Sequence, residues 1–405
     1  MKIDINKYKK IPYQQRTKCM VCDNKLMGHL IDLPDFPMTE IYTDELVKEK
    51  VAFADQGFQY CEKCGHGQIA NVIDIDLQYG DSISYNFRTS ASATGRESAD
   101  FFIDFLNGVV KDKHFRSIVE VGCNDLYILK ALVGRADRLI GIDPILKGKE
   151  KEYSTNNIVA IGDFLENVKI EEGIDLVICK DTLEHVSQPK QFVKKIVDRA
   201  HDETLFFFQF PYLETLLDGC RFDQVFHQHL NYFSLRSTIH MLEELGCELL
   251  DYKININHWG AVLIAFKKSK NKSKYSAAAR KIAGTDVLSR YRIFKANMKA
   301  TNDRLALLRG EKIYGYGAAL MLPVLSYHLG NDFSGFECII DDDKSKEGLY
   351  YINLPVSIRA SGKVQDFRNA IVVLTAISAM NNGRRILAKL FELNPKQIIV
   401  PMSTL

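Results

Sequence analysis

The sequence predicts an α/β protein built from three domains, and three observations indicate this. The chain has 405 residues, which is too many for one ordinary hydrophobic core. Short apolar strands alternate with helical patterns from Ser117 to about Phe266, as is typical of a parallel sheet. A second alternating set begins at Lys312, whereas the N-terminal part carries paired cysteines. We therefore predict a small cysteine-rich module at residues 1–78 and two Rossmann-like domains at residues 79–268 and 269–405.

The composition excludes several classes of protein. Hydrophobic residues make up 46% and charged residues 26%, and the net charge of +2 gives no footprint for nucleic acid or a membrane surface. No apolar run approaches the roughly 20 residues of a membrane span, and the start has no apolar signal-peptide stretch. Nine cysteines without a secretion signal favour a reducing compartment. We expect a cytoplasmic protein, monomeric or weakly homo-oligomeric, that binds neither nucleic acid nor membrane.

Two cysteine pairs in the first predicted domain have the spacing of zinc knuckles. They are Cys19-Met20-Val21-Cys22 and Cys61-Glu62-Lys63-Cys64. Each pair puts two thiolates on a tight turn, and two such turns complete a tetrahedral site for Zn²⁺. Because four protein ligands close the site, we expect a structural ion. The alternatives are a redox pair or reduced structural cysteines. His66 is expected at the surface rather than as a fifth ligand.

The second predicted domain opens with a pattern that favours S-adenosylmethionine (SAM). A buried strand at residues 117–121 runs into a turn at Gly122, where the missing side chain allows a ligand to approach closely. Glu120 or Asp125 can meet the ammonium group of that ligand. Roughly twenty residues later a second strand ends in Asp143, which can accept hydrogen bonds from both ribose hydroxyls, as an acid does in NAD sites.

The third and fourth strands of this domain also end in polar residues. Asp163 can accept from the adenine amine while Phe164 packs on the ring. The first turn lacks G-x-G-x-x-G and bears a carboxylate where a pyrophosphate needs free amides, which favours SAM over NAD. An α/β core without a ligand is the alternative. The predicted SAM-binding residues are Glu120, Gly122, Asn124, Asp125, Asp143, Asp163, Phe164 and Lys180.

Five motifs, spread over nearly the whole chain, support a family resemblance. They are the two cysteine pairs, Val119-Glu120-Val121-Gly122-Cys123-Asn124-Asp125, Phe226-His227-Gln228-His229-Leu230-Asn231-Tyr232-Phe233-Ser234, Gly315-Tyr316-Gly317-Ala318-Ala319 and Ile339-Ile340-Asp341-Asp342-Asp343. On these motifs the chain resembles the sugar C-methyltransferases that act on nucleotide-linked keto-deoxysugars. The resemblance implies a zinc domain, a central SAM-dependent methyltransferase domain and a C-terminal Rossmann-like domain that helps to hold the nucleotide-linked sugar. The turn at Gly317 precedes a helix, whose N-terminus can take a phosphate.

The resemblance also implies a reaction. In the family, a carbon next to a ketone loses a proton and the enolate takes the SAM methyl group, which needs a base and oxyanion donors. The family motif is similar to Tyr-His-Glu-His. Its second histidine corresponds to His229, which we expect to be the base, and a histidine after the fourth strand corresponds to His185. Gln228 stands at the position of the motif glutamate. The tyrosine of a further loop aligns with Phe87, and Tyr85 can compensate for it.

The predicted catalytic residues are therefore His229, His185, Gln228 and Tyr85. Phe226 stands where the motif has a tyrosine, and Leu126 stands where the family has a glycine, so we expect added bulk beside the SAM turn. His227 alternates with His229 and is expected to face away. These departures leave alternatives to C-methylation, namely methylation on oxygen or nitrogen, sugar chemistry without methyl transfer, and a catalytically reduced protein that binds SAM or a nucleotide sugar.

Overall fold

The N-terminal part of the chain forms small antiparallel sheets. The computed structural model describes residues 3–78, 87–169, 173–365, 367–376 and 380–401. The first elements are β1 (Tyr13–Gln15), β2 (Ile31–Pro37), β3 (Tyr42–Thr43), β4 (Phe53–Cys61), β5 (His66–Ile69), β6 (Asn71–Ile73) and α1 (Ile75–Gln78). Strands β2, β4 and β5 lie side by side, and β1 pairs with β6.

The central part contains a seven-stranded sheet flanked by helices. Its elements are α2 (Ala93–Val110), β7 (Phe115–Val121), α3 (Tyr127–Ala131), β8 (Ala136–Ile142), α4 (Glu150–Tyr153), β9 (Ile158–Ile161), β10 (Ile174–Lys180), α5 (Pro189–Val197), β11 (Ala200–Phe210), α6 (Leu213–Asp218), β12 (Asn231–Tyr232), α7 (Leu235–Glu244), β13 (Cys247–Asn255) and β14 (Ala261–Lys268). The strand order is β13-β14-β11-β10-β7-β8-β9. Strands β7 to β11 are parallel, and β14 runs antiparallel between β11 and β13.

Both faces of this sheet are buried, which explains the nearly continuous apolar runs of its strands. Successive residues of a strand point to opposite faces. Ile118 and Phe207 accordingly belong to one hydrophobic cluster, whereas Val119 and Phe208 belong to another. The predicted α/β class with a Rossmann-like central sheet is confirmed.

The C-terminal part forms a second parallel sheet. Its elements are α8 (Gly284–Ala306), β15 (Ile313–Tyr316), α9 (Leu322–Leu329), β16 (Cys338–Asp341), β17 (Tyr350–Tyr351), β18 (Ile358–Ala360), β19 (Ile371–Leu374), α10 (Met380–Leu393) and β20 (Gln397–Ile399). Strands β18, β16, β15, β19 and β20 lie in that order, all parallel. None of the helices within the described ranges combines the length and apolar character that a bilayer crossing requires.

Two strand pairings cross the predicted domain boundaries. Strand β12 joins β5 at the edge of the N-terminal sheet, with Asn231 opposite Gln68. Strand β17 pairs with β3, where Tyr350 lies opposite Thr43. The N-terminal part is therefore tied by backbone hydrogen bonds to both other parts, and the division into three domains at residues 78 and 268 stays a prediction.

Candidate active site

The carboxyl edge of the central sheet between β7 and β10 is the candidate active site. The strand order reverses here, because β8 and β9 lie on one side of β7 while β10 and β11 lie on the other. In open parallel sheets, ligands bind in the crevice outside the strand ends at such a point. Glu120, near the end of β7, is buried, and its burial raises its pKa well above the usual value, an effect that Lys180 at the end of β10 opposes.

The turn after β7 gathers three of the predicted SAM-binding residues. The backbone amide of Asn124 donates to the Asp143 Oδ2 atom over 2.8 Å, and that of Ile145 donates to Oδ1 over 3.0 Å. The Ser90 amide donates to the Asp125 Oδ2 atom over 2.9 Å, and the Asn124 side chain donates to the Phe87 carbonyl over 3.1 Å. Burial raises the pKa of Asp143, although the hydrogen bonds from the backbone amides of Ile145 and Asn124 oppose the shift.

Of two expectations about this turn, the one for Gly122 stays a prediction and the one for Leu126 is wrong. Gly122 has a φ of +74°, but a Cβ atom there would overlap the hydroxyl of Thr182. The glycine is therefore already required by a neighbouring side chain of the protein, and the close approach of a ligand to it stays a prediction. Leu126 has a φ of +65° and is fully buried, and its side chain packs against Gly141 of β8. Its bulk fills the core and does not narrow the turn.

The predicted adenine residues lie beyond the end of β9. Asp163 Oδ1 accepts from the Phe164 amide over 2.7 Å and from the Asn167 side chain over 2.8 Å. The Asn167 hydrogen bond contributes most to lowering the pKa of Asp163. The Phe164 ring is 42% exposed, so it is available to a ligand. The contacts of these two residues with adenine stay a prediction.

Both predicted catalytic histidines lie at the same edge, together with a glutamate. His185 Nδ1 is 2.8 Å from the Gln228 carbonyl oxygen, and the His185 and His229 ring centroids are 5.0 Å apart. Ligand atoms of Glu184, His185 and His229 all lie within 4.8 Å of one another. We call these three residues the histidine cluster. Burial lowers the pKa of both histidines, that of His229 well below its usual value.

A second polar network borders the histidine cluster. Asp181 forms an ion pair with Lys180, accepts from Gln209 over 2.8 Å and lies 3.3 Å from His258 Nε2. Burial acts to raise the pKa of Asp181, but His258, Lys180 and Gln209 outweigh it and bring it to about 2. The Trp259 ring stacks on His258 and lies 6.3 Å from the His229 ring. Asp181 and Glu184 were not predicted as site residues, although both come shortly after Lys180, the last residue of β10.

A carboxylate from the N-terminal part reaches the predicted site at Gln228. Glu40 lies beside the side chain of Gln228, whose interaction with the carboxylate acts to lower the pKa of Glu40. Its φ of +60° is an unfavourable conformation for a residue with a side chain, and such strain concentrates at functional sites. Burial raises the pKa of Glu40 to about 7, and Lys346 and Gln228 oppose that shift. An isolated acid so far from Gln228 in the chain carries no signal in the sequence.

The remaining residues of the motif have the following positions. The Phe226 ring is buried, with its centroid 4.2 Å from that of His229. His227 points toward the N-terminal sheet, where its Nε2 atom is 3.1 Å from the Phe36 carbonyl oxygen. This agrees with the expectation that His227 faces away from His229. Tyr85, the fourth predicted catalytic residue, lies outside the described residues.

The four predicted zinc ligands come together. Their sulfur atoms lie within 4.8 Å of one another, and the Cys19–Cys64 and Cys22–Cys61 pairs are each 3.5 Å apart. A tetrahedral Zn²⁺ ion about 2.3 Å from each sulfur holds sulfurs roughly 3.8 Å apart, so these residues, which we call the cysteine cluster, fit the ion. His66 is fully buried against Phe233, so its expected surface position is wrong.

The turn after β15 precedes the helix at which a phosphate site is predicted. The Ala318 amide donates to the Asp341 Oδ2 atom over 2.6 Å, and the helix begins only at Leu322. A carboxylate therefore already occupies one amide of the turn, and the binding of a phosphate at the N-terminus of the helix stays a prediction.

Comparison with known proteins agrees with the geometry of the central sheet. Residues 94–252 match a family model described as a methyltransferase domain. The C-methyltransferase NovU of Streptomyces niveus is 25% identical over 264 residues, and the match spans 61% of this chain and 60% of that relative.

Two solved structures are similar to 44% of this chain. They are the N-methyltransferase NodS from Bradyrhizobium japonicum WM9 in complex with S-adenosyl-l-homocysteine (14% identity, 88% of that chain, TM-score 0.35) and the magnesium protoporphyrin IX methyltransferase from Synechocystis PCC 6803 with bound SAH (14% identity, 84% of that chain, TM-score 0.34).

The region that matches the family model begins in α2 and ends in β13, so it contains all five parallel strands, the turn after β7 and the histidine cluster. This region is similar to methyltransferase domains, and the two sequence matches support the enzyme class predicted from the sequence, a SAM-dependent methyltransferase.

Proposed function

We propose that the protein transfers the methyl group of SAM to a nucleotide-linked sugar, at a carbon next to a ketone. One observation carries this proposal: Glu40, Gln228 and the histidine cluster converge at the edge of the sheet that holds the SAM turn. Removal of a proton from carbon needs a base beside the C–H bond and polar groups beside the oxygen that becomes negative. The carboxylate of Glu40 is a group of the first kind, a base, and the neutral imidazoles of His185 and His229 are polar groups of the second kind.

The proposed SAM site is formed by the eight residues predicted from the sequence. Glu120 Oε2 and Asp125 Oδ1 are buried and have no hydrogen-bonding partner among the described residues. A buried acceptor without a donor is unfavourable, and the ammonium group of SAM supplies such donors. Asp143 has one backbone donor on each oxygen, and a carboxylate has further lone pairs with which to accept from the ribose.

We propose Glu40 as the proton acceptor in place of His229. Its place beside Gln228 brings a carboxylate next to the position where the resembling family has its glutamate. A base is most effective when its pKa lies near the working pH, which fits the value of about 7 for Glu40. His229 and His185 then contact the acceptor sugar, and Phe226 supplies only apolar surface.

Zinc in the cysteine cluster is proposed to have a structural role that extends to the active site. Arg16, close to Cys19 in the chain, donates over 2.7 Å to the Leu230 carbonyl and over 2.7 Å to the Ser187 carbonyl. These two carbonyls belong to the segments that carry His229 and His185. A zinc ion that holds Cys19 in place would therefore also hold the backbone at Arg16, and the side chain of Arg16 joins the two segments that carry the histidines.

The remaining proposals follow the resemblance. The C-terminal part helps to hold the nucleotide portion of the substrate, as the third of three domains. The protein works in the cytoplasm as a monomer or weak homo-oligomer, with no nucleic acid or membrane partner.

The experiment that tests the function measures cofactor binding and product separately. Calorimetry with SAM and S-adenosylhomocysteine should show binding that Asp143→Ala weakens by roughly 1–3 kcal/mol, the scale of a lost charged hydrogen bond. Asp137→Ala removes an exposed carboxylate at the opposite end of the same strand, β8, and should leave binding unchanged. Mass spectrometry of a nucleotide-linked ketosugar after incubation should show one added methyl on carbon. Transfer to oxygen or nitrogen would replace the proposed reaction, and absence of cofactor binding would end it.

A further inference from the structure

We propose that the side chains of His258 and Trp259 hold the sugar ring of the acceptor. The indole of Trp259 packs against C–H bonds of the ring, and the imidazole of His258 accepts a hydrogen bond from one of its hydroxyls. Both residues lie in the loop at 256–260, which joins β13 to β14. This inference rests on the proposed function and deepens it, because it assigns side chains to the sugar.

The first reason is the position of the loop. Val262, near the start of β14, lies opposite Phe210, at the end of β11. The loop before β14 therefore lies at the carboxyl edge of the parallel strands, as the SAM turn and the histidine cluster do. The ring centroids of Trp259 and His229 are 6.3 Å apart. The loop thus borders the histidines to which we assign the acceptor.

The loop is also fixed in place from two sides. Gly260 has a φ of +70°, and a Cβ atom there would overlap the side chain of Thr215, so the loop fits closely against α6. At the base of the loop, the Asn255 side chain donates to Gln209 over 2.8 Å, and Gln209 donates to Asp181 over 2.8 Å. Such support keeps the side chains of a binding site in one orientation.

The second reason is the backbone conformation of Trp259. Its φ of +50° is unfavourable for a bulky residue, whereas glycine adopts such a conformation readily. Strain of this kind persists mainly at functional sites. The backbone therefore does not explain why an indole occupies this position, and contact with a ligand does.

The third reason is the protonation of His258. Its Nε2 atom lies 3.3 Å from the Asp181 Oδ2 atom. The pKa of Asp181, lowered to about 2 despite its burial, keeps this carboxylate ionised, so it can only accept hydrogen bonds. Burial lowers the pKa of His258, although Asp181 opposes that shift. The neutral ring therefore carries its proton on Nε2, and Nδ1 has a lone pair that can accept from a hydroxyl.

Together the two rings form a surface that suits a sugar. Their planes are 7° apart and their centroids are 5.6 Å apart, so they stack with an offset. The His258 side chain is 25% exposed and Trp259 is partly exposed, so both are accessible to a ligand. A sugar ring has hydroxyls at its rim and C–H bonds on its faces. The negative face of an indole attracts such C–H bonds, and the imidazole beside it accepts from a hydroxyl.

The fluorescence of Trp259 tests the inference directly, because it is the single tryptophan of the chain. The full-length protein is first saturated with S-adenosylhomocysteine. A nucleotide-linked keto-deoxyhexose is then titrated, once with thymidine diphosphate and once with uridine diphosphate as its nucleotide. At least one of these sugars should change the emission of Trp259. The same nucleoside diphosphates without the sugar should not.

Substitutions test the two side chains separately. Trp259→Ala should raise the KM for the sugar roughly 10-fold, whereas Trp259→Phe keeps an aromatic face and should recover most of the loss. His258→Gln keeps an N–H toward Asp181 but has no acceptor at the position of Nδ1, so it should also raise this KM. Ile256→Ala, at an exposed side chain of the same loop, is the control and should leave it unchanged. The KM for SAM should not change in any variant.

The outcomes separate failure of this inference from failure of the proposed function. A wild-type KM for the sugar in Trp259→Ala or in His258→Gln would overturn the inference while methyl transfer continues. Absence of an emission change, or the same change with the nucleoside diphosphates alone, would also overturn it. A sugar that changes the emission but is not methylated would end the proposed reaction and leave the sugar contact supported. Calorimetry with S-adenosylhomocysteine confirms that each variant keeps a folded cofactor site.

Discussion

The cysteine cluster and the histidine cluster are assembled in different ways. The cysteine cluster combines two local turns, in which the Asp23 amide donates to the Cys19 carbonyl and the Gly65 amide to the Cys61 carbonyl. In the histidine cluster, His185 and His229 come from separate segments that short-range turns do not join. Long-range hydrogen bonds do so, among them those from Arg16 and from the Asn231 side chain to the Val186 carbonyl.

The roles that we propose for the two sites differ in the same way, since we assign the cysteine cluster to folding and the histidine cluster to chemistry. A Zn²⁺ ion bound to four buried sulfurs would have a complete tetrahedral shell, with no position left for a substrate. Within the described part of the chain, the histidine cluster offers three ligand atoms, and Glu184 Oε2 and His229 Nδ1 are buried there without a hydrogen-bonding partner. It also borders Glu40, whose backbone is strained. Changes to the first site should therefore act on stability, and changes beside the second should act on rate.

The largest expected effect comes from Cys61→Ser. It should release about one zinc ion per chain and lower the free energy of unfolding by roughly 3 kcal/mol or more, because structural zinc contributes about 10–16 kcal/mol. Elemental analysis and thermal unfolding measure the two effects. Cys220→Ser, at a cysteine outside the cluster, is the control and should keep the ion. If the zinc-free Cys61→Ser protein were as stable as the wild type, the cysteine cluster would not contribute to stability, and the proposed difference between the two sites would be wrong.

The next effect concerns the base. Glu40→Gln should lower kcat by roughly 10²–10⁴, the contribution of a positioned base, with little change in thermal stability. In the wild type, kcat/KM should rise with pH through about 7, because only the deprotonated carboxylate can take a proton. The substitution should abolish that rise. Glu49→Gln, at an exposed glutamate paired with Lys9, should leave rate and pH profile unchanged. A Glu40→Gln enzyme at full rate would show that another group is the base.

The sequence could predict those parts of the site that depend on local structure or on strand ends. Asp143 and Lys180 were found because parallel strands bring their carboxyl ends to one edge. The sequence did not predict the contacts made by Leu126 and Glu40. Both residues have a positive φ, and a positive φ at such residues cannot be inferred from residue type. The contacts between Thr182 and Gly122 and between Arg16 and Leu230 join distant segments, and periodicity carries no information about such pairs.

A smaller effect tests the connection between the two clusters. Arg16→Lys keeps the charge but can reach only one of the two carbonyls, so it should cost roughly 1.5–3 kcal/mol of stability. The KM for the acceptor sugar should rise, while zinc content and the affinity for S-adenosylhomocysteine should not change. Arg236→Lys is the matched control, because Arg236 also spans two carbonyls, those of Glu62 and Lys63, away from the histidines. Equal effects of both variants on KM would mean that Arg16 does not position the histidine segments.

The smallest net change is expected when Glu40 and Gln228 exchange their side chains. Gln228→Glu alone places a second carboxylate against Glu40, and the repulsion should raise the pKa of the pair and slow the reaction roughly 10-fold near neutral pH. The double variant Glu40→Gln with Gln228→Glu again has one amide and one carboxylate side by side. It should recover to within about 10-fold of the wild-type rate, far above Glu40→Gln alone.

The four enzymes form a double-mutant cycle measured by methyl transfer to the ketosugar, with S-adenosylhomocysteine affinity as the control for an intact cofactor site. Recovery in the double variant would mean that the carboxylate can act from either side of the pair, as in the resembling family, where the motif itself carries the glutamate. A double variant as slow as Glu40→Gln would mean that the reaction depends on the position of Glu40 itself. In that case the site beside the histidine cluster would not tolerate exchange of its side chains, just as the cysteine cluster would not tolerate substitution. The two sites would then differ only in their function.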